Sequence, residues 1–196
     1  MMDNIKCLII LSGKRFSGKD YCGEKIESVM GILSNLNVKF DHPTTQMKKL
    51  FASEHKLDFN KLMVDRLYKE SNRIAMTNYS DAMMEIYGVN YYNQLFIQNV
   101  LYTTTIPSIY IIDCRYQTGI DLYKSLGLKL ILIRINTDDS VRIKRGWSYV
   151  EETDQHKCEC DLDLYEKFDL KFNNNTDNDD NLLLFINNDL WPKIKN

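Results

Sequence analysis

Gly13-Lys14-Arg15-Phe16-Ser17-Gly18-Lys19-Asp20 is the stretch whose reading decides the fold of this chain. It matches G-x-x-x-x-G-K, in which the glycines let backbone N–H groups approach a phosphate and the lysine neutralises it. The pattern alone is weak, because with glycine at about 7% of residues it arises by chance in roughly one chain in twenty of this length. Its flanks supply the context. Residues 5–11 form a short continuous run of β-rich apolar residues, as in a strand buried on both faces of a parallel sheet. After Lys19, residues Tyr21, Ile26, Val29, Met30 and Leu33 fall on one face of a helix that stops near Asn35 and Asn37. Strand, glycine loop and helix in direct succession identify Gly13 to Asp20 as a phosphate-holding P-loop.

The rest of the chain continues an α/β pattern. Residues 38–40 read as a short strand before His42-Pro43, and residues 45–102 as several helices with a break at Gly88 and Asn90. Residues 109–113 and 128–135 are again short β-rich runs, joined by a crossover helix over 117–126 to make a βαβ unit. Residues 136–146 are charged and helical, whereas 147–168 lack periodicity, carry many acids and are expected as a mobile surface loop. A last strand over 170–172 precedes the polar loop 173–181 and a closing helix over 182–194. No repeat or linker divides the chain, so residues 1–196 are expected as one domain.

Composition narrows the function. Of 196 residues, 44% are hydrophobic and 27% charged, which is ordinary for a globular protein with one substantial core. A net charge of −2 gives no field to collect nucleic acid or anionic membrane, and no apolar run is long enough to span a bilayer. The five cysteines form no disulfide-scaffold spacing and no signal peptide precedes them, so a cytoplasmic location is expected.

Several side chains outside the glycines are candidates for chemistry. Asp20 stands where the usual motif has a magnesium-binding Ser or Thr; it either supplies an oxygen to the metal or its water shell, or serves only the helix N-terminus. Asp113-Cys114-Arg115 ends a buried strand, where ligands of open α/β sheets sit, although Asp113 could also cap the next helix. Arg142 and Arg145 project from one side of a helix, either as a solvated face or as a flap that stabilises charge in phosphoryl transfer. Lys48 and Lys49, with Lys69 and Arg73, are surface charges or the cations of an acceptor pocket. His156, Cys158 and Cys160 lack the second half of a tetrahedral zinc site.

Several stretches together resemble animal-type phosphomevalonate kinase, a nucleoside-monophosphate-kinase-like P-loop family. Residues 11–20 are similar to its S-G-K-R-x-S-G-K-D, including the final Asp. Glu54-His55-Lys56-Leu57-Asp58-Phe59 resembles E-H-x-L-x-F, and Tyr68-Lys69-Glu70 with Arg73 resembles Y-K-E-x-x-R. Asp113-Cys114-Arg115 is similar to D-x-R-R, Arg142 with Arg145-Gly146-Trp147 to R-x-x-R-G-W, and Glu159-Cys160-Asp161-Leu162-Asp163 to E-C-x-L-D. The matches keep their order from residue 8 to about residue 175.

The resemblance implies a three-layer sandwich: a five-stranded parallel sheet flanked by helices, with a helical acceptor region over about 44–104 and a lid over about 137–168. It implies ATP and Mg2+, with the γ-phosphoryl moving to 5-phosphomevalonate to give 5-diphosphomevalonate. By matched position, Gly13, Lys14, Arg15, Phe16, Ser17, Gly18, Lys19 and Asp20 form the nucleotide loop, with Lys14 and Lys19 catalytic and Asp20 the metal contact. Lys48, Lys69, Arg73, Asp113 and Arg115 hold the small phosphorylated acceptor. Arg142 and Arg145 belong to a catalytic lid, and Asn174 lies near the adenine. Two departures thin the acceptor's cations: Tyr116 replaces a second arginine, and Met83 and Met84 stand where the family carries basic residues. A nucleoside or deoxynucleoside monophosphate kinase, or a catalytically silent nucleotide-binding protein, is the alternative; the enzyme is expected to be a monomer.

Overall fold

Apolar side chains at consecutive positions from Cys7 to Leu11 leave no polar face for water, and β1 (Ile5–Ser12) is accordingly buried on both faces, with Lys6 its one exposed position. In the computed structural model, residues 2–176 and 178–195 are described. After the glycine loop comes α1 (Lys19–Ser34), which ends at Asn35 in the left-handed conformation that asparagine tolerates. Then follows β2 (Asn37–Asp41).

Residues His42–Tyr102 form a compact unit of their own. It holds α2 (Thr45–Glu54), α3 (Phe59–Val64), α4 (Arg66–Ser71), α5 (Arg73–Tyr87) and α6 (Tyr91–Phe96), the last running into a π-helical turn over Ile97–Leu101. Asp58 and Asp65 start α3 and α4 by accepting the Lys61 and Tyr68 N–H groups, and Gly88, at positive φ, stops α5. Met47, Phe51, Ala52, Leu62, Met76 and Tyr92 form the core of this unit. Met83 and Met84 pack against it. Methionines stand there because the position is apolar, which gives a physical account of the missing cations.

The other unit, Met1–Asp41 with Thr103–Asn196, carries the whole sheet. Its remaining elements are β3 (Ser108–Asp113), α7 (Gln117–Ser125), β4 (Leu130–Asn136), α8 (Asp139–Lys144), α9 (Glu151–Asp154), α10 (Lys157–Cys160) and β5 (Leu170–Asn173). The chain closes with α11 (Asp180–Phe185), a π-helical turn Ile186–Leu190 and α12 (Trp191–Lys195). The sheet order is β2-β3-β1-β4-β5, and every pairing is parallel. β3 and β4 both pair with β1, so the crossover through α7 passes β1 rather than joining neighbouring strands.

One core joins Cys7, Ile9 and Leu11 of β1 to Cys22, Ile26 and Met30 of α1 and to Leu182, Phe185, Ile186 and Leu190 of the closing helical segment. The opposite-parity residues Leu8 and Ile10 are equally buried, as the period of two requires in a sheet covered on both sides. The three-layer α/β architecture matches the expectation.

Three local expectations need correction. Residues 147–168 are not a featureless surface loop; they contain α9 and α10 and bury Thr153, Glu159 and Leu162. Their acids fix the segment by long-range pairing, which periodicity cannot reveal. Helix α8 covers only Asp139–Lys144 of the charged stretch 136–146, because Asn136 still belongs to β4. Of the polar loop 173–181, Asn173 ends β5 and Asp180 starts α11, while Asp177 lies outside the described residues. No helix among the described residues is long and apolar enough to cross a membrane.

Candidate functional site

The register of the sheet assembles the site. Leu11 pairs with Asp113 and Ser12 with Arg134, so the carboxyl ends of β1, β3 and β4 present these side chains beside the start of the glycine loop. The loop itself is held by close approach. A Cβ on Gly13 would lie 2.8 Å from the Ile135 carbonyl oxygen and 2.7 Å from Ser17 Oγ. Phe16 and Gly18 both have positive φ, and Gly18 occupies the cap position of α1 without a side chain to offer the helix. The first-turn N–H groups of α1 thus have no capping oxygen from that residue, the arrangement in which a phosphate satisfies them.

Lys19 is 5% exposed and its ammonium is clamped between two acids, donating to Asp113 Oδ2 at 3.1 Å and to Asp20 Oδ1 at 3.0 Å. Burial works to lower its pKa, yet Asp113 and Asp20 together outweigh burial and hold the pKa above its ordinary value. The amine is fully cationic at neutral pH. Asp113 is itself buried, whereas the Asp20 side chain is 53% exposed. Asp20 therefore keeps access to solvent or to an incoming cation while touching the lysine.

Two carbonyls and an amide of the loop are gripped from distant parts of the chain. The Ser17 carbonyl accepts Asn174 Nδ2 at 2.8 Å, Thr137 Oγ1 at 2.9 Å and Arg145 Nη1 at 3.5 Å. The Arg15 carbonyl accepts Arg142 Nε at 3.1 Å, and the Arg15 N–H donates to Glu159 Oε2 at 2.8 Å. Arg142 is buried, with its guanidinium 3.8 Å above the Trp147 ring and an ion pair to Asp139 at 2.7 Å. Arg142 and Arg145 do lie on one side of the α8 region, and both reach the loop backbone. Among the described residues Ser17 Oγ is buried without a hydrogen-bond partner.

Arg15 and Lys14 extend to the segment after α8. Arg15 Nε donates to Asp154 Oδ1 at 2.9 Å and its Nη2 to the Ser148 carbonyl at 2.6 Å. Asp154 also accepts Trp147 Nε1 at 3.0 Å and the Val150 N–H at 2.8 Å. Lys14 pairs with Asp163, which also receives Arg134 at 3.0 Å; Arg134 donates to Ser12 Oγ as well. Arg115 pairs with Glu159 and lies 3.7 Å from Asp113. The Glu159 carboxylate, and to a lesser degree Asp113, raise the Arg115 pKa against burial.

Lys48, Lys69 and Arg73 belong to the other compact unit. Lys48 is buried on α2, Lys69 lies on α4, and Arg73 opens α5 with a two-point pair to Glu70. Among the described residues no group of three or more His, Cys, Asp or Glu could hold a metal ion, and His156 instead accepts the Cys158 N–H as the cap of α10.

Sequence reasoning assigned no role to Arg134, Thr137, Asp154, Glu159 or Asp163. Arg134 had a signal, since it is a lone charge within the apolar run of β4. Glu159 and Asp163 had a weaker one in the Glu159–Asp163 motif, and Asp154 had none.

The model of the family described as phosphomevalonate kinase matches residues 11–128. The phosphomevalonate kinase of Drosophila melanogaster is 30% identical over 176 residues, which covers 88% of this chain and 90% of that protein. Among solved structures, shikimate kinase from Bacteroides thetaiotaomicron superposes with a TM-score of 0.48 at 9% identity, covering 92% of this chain and 97% of that one. Shikimate kinase from Aquifex aeolicus gives 0.44 at 13% identity, covering 91% and 93%. The family match spans the glycine loop, Asp113 and Arg115, and with the relative's near full-length coverage it shows that this chain belongs to the phosphomevalonate kinase family, whose members are ATP-dependent kinases.

Proposed function

We propose that the protein transfers the γ-phosphoryl group of ATP to 5-phosphomevalonate, giving ADP and 5-diphosphomevalonate. The observation that carries the reading is the Lys19 ammonium, buried beside the glycine loop and held charged between Asp113 and Asp20. In phosphoryl transfer the protein supplies position and charge, with little covalent chemistry of its own. Residues Gly13 to Gly18 give the donor phosphates backbone N–H groups, and Lys19 neutralises the β and γ oxygens. Asp113 keeps Lys19 charged and aimed. Arg142 and Arg145 maintain the loop shape from the lid side, with Arg145 next to Gly18. Asn174 serves the nucleotide by fixing the Ser17 carbonyl.

On the sheet-bearing unit Arg115 is the cation assigned to the acceptor phosphate, and the helical unit carries Lys48, Lys69 and Arg73, to which the family resemblance gives the same role. The acceptor phosphate is already anionic, so no general base is required. Magnesium fits the donor set: one accessible carboxylate, Asp20, matches an ion that is held mainly by substrate phosphates and water. When bound with ATP, the ion supplies charge neutralisation on the β and γ oxygens. The five free cysteines suit a reducing cytosol.

The test is an ADP-release assay on phosphomevalonate against a panel of nucleoside and deoxynucleoside monophosphates. Turnover is expected with phosphomevalonate; turnover with the monophosphates instead would overturn the acceptor. Lys19→Met should lower kcat by about a thousandfold or more while the circular dichroism spectrum stays native. Near-normal activity in that variant would sink the assignment.

A further inference from the structure

Glu159 is a carboxylate in a place built for phosphate. Its side chain is 2% exposed, one oxygen accepts the Arg15 N–H of the glycine loop at 2.8 Å, and the other pairs with the Arg115 guanidinium. A loop amide and a guanidinium converging on one anion is the donor set that recognises a phosphoryl oxygen. The acid is presented by α10, a single helical turn, so its reach into the loop does not depend on a rigid element. The rest of the segment has separate anchors: Asp154 on Arg15, Trp147 and Val150, and Asp163 on Lys14 and Arg134. Glu159 can therefore leave without releasing them. Arg115 would not be stranded either, since Asp113 lies 3.7 Å from it.

We propose that Glu159 is a positioning residue that holds the seat between the Arg15 amide and Arg115 as a stand-in for a reactant phosphoryl oxygen, and that the reactant must displace it to bind. The proposal rests on the kinase reading above. The seat keeps the loop amide and Arg115 in place when no reactant is bound, at the expense of apparent affinity, because only the displaced state is binding-competent. Two reactants carry the required chemistry: the terminal phosphate of ATP and the phosphate of the acceptor. ADP lacks the first and is the control.

The experiment measures dissociation constants of ADP, a non-hydrolysable ATP analogue and phosphomevalonate by calorimetry, for the wild type and Glu159→Gln. Glutamine keeps the shape and its oxygen can still accept the Arg15 N–H, but it gives up the charge and turns its NH2 group toward the Arg115 donor, so its hold on the seat is weakened. One of the two phosphoryl-bearing reactants should bind about three- to tenfold tighter to the variant, with its KM falling in parallel and ADP affinity unchanged. The reactant that gains names the occupant of the seat. Weaker or unaltered binding of both would make Glu159 a structural brace and overturn the proposal, and so would an equal gain for ADP, which marks a general charge effect. Failure of the wild type to bind any of the three would overturn the kinase reading and this inference with it. Hydrogen exchange on the wild type gives a readout that needs no variant: the seat-taking reactant should speed exchange in residues 157–160 and ADP should not. Slower or unchanged exchange at saturation counts against displacement.

Discussion

Gly18 shows how little room the loop leaves at a single residue. Its φ of 78° costs an L-residue roughly 1–2 kcal/mol, and a Cβ there would sit 2.3 Å from Asn174 Nδ2. Asn174 is buried and its Nδ2 is committed to the Ser17 carbonyl, so it cannot swing aside without losing that bond, worth about 1 kcal/mol. Gly18→Ala is therefore expected to lower stability by about 2–3 kcal/mol in urea titration and to weaken ATP-analogue binding at least about tenfold, since the loop amides shift with it. A wild-type midpoint and affinity would refute the tight-approach argument. Phe16 shares the positive φ without being glycine, and its ring lies 5.4 Å from the Arg15 guanidinium.

At the scale of elements, the segment between α8 and β5 is fastened by acids rather than by an apolar stripe. Asp154, at the end of α9, takes Arg15 Nε and Trp147 Nε1 on one oxygen and the Val150 N–H on the other. An asparagine cannot replace it, because its NH2 group would face a donor whichever way the amide is turned. Asp154→Asn should lower stability by about 2–4 kcal/mol, the cost of breaking a buried pair and leaving donors unmatched. Hydrogen exchange should rise first in residues 147–156. Uniform protection across that segment in the variant would show that Leu162 and its neighbours, not Asp154, fasten it. The helices of the inserted unit are held differently. Short as they are, they depend on the shared core around Phe51 and Leu62 rather than on propensity.

Across the whole molecule, buried thiols make stability depend on alkaline pH. Burial pushes Cys7, Cys22 and Cys114 up from 9.0 to about 12. Above pH 9 the unfolded chain releases these protons while the native state keeps them, so the unfolded state binds fewer protons and stability falls as pH rises. The loss should approach about 1.4 kcal/mol per pH unit for each thiol, beginning near pH 9 and ending near pH 12. Between pH 9 and 10 the thiols act almost alone, because the raised groups Tyr79, Tyr92 and Tyr123 start from 10.0 and Lys19 from 10.5. Urea titrations at pH 8, 9 and 10 should show this decline, and Cys22→Ala should reduce its slope. A flat profile would mean that the thiols ionise in place.

The strand-loop-helix unit, the parallel sheet and the placement of Asp113 at a strand end were legible in the sequence, because each follows from local periodicity and from the few backbone shapes that Gly13 and Gly18 permit. The segment 147–168 was not legible. Its acids look alike in sequence, and what separates Asp154 and Glu159 from a solvated Glu151 is a partner far away in the chain. Glu159 meets Arg15 across 144 positions, and Asn174 meets Ser17 across 157. Met83 and Met84 likewise read as lost cations until the core of the inserted unit showed them packing. The sequence by itself determined that β1 and α1 are joined by a tight glycine loop, since that geometry is built from neighbours along the chain. Only the tertiary structure decided which charges hold the loop and which acid lies between its Arg15 amide and Arg115, because those choices depend on burial and pairing between segments that nothing local connects.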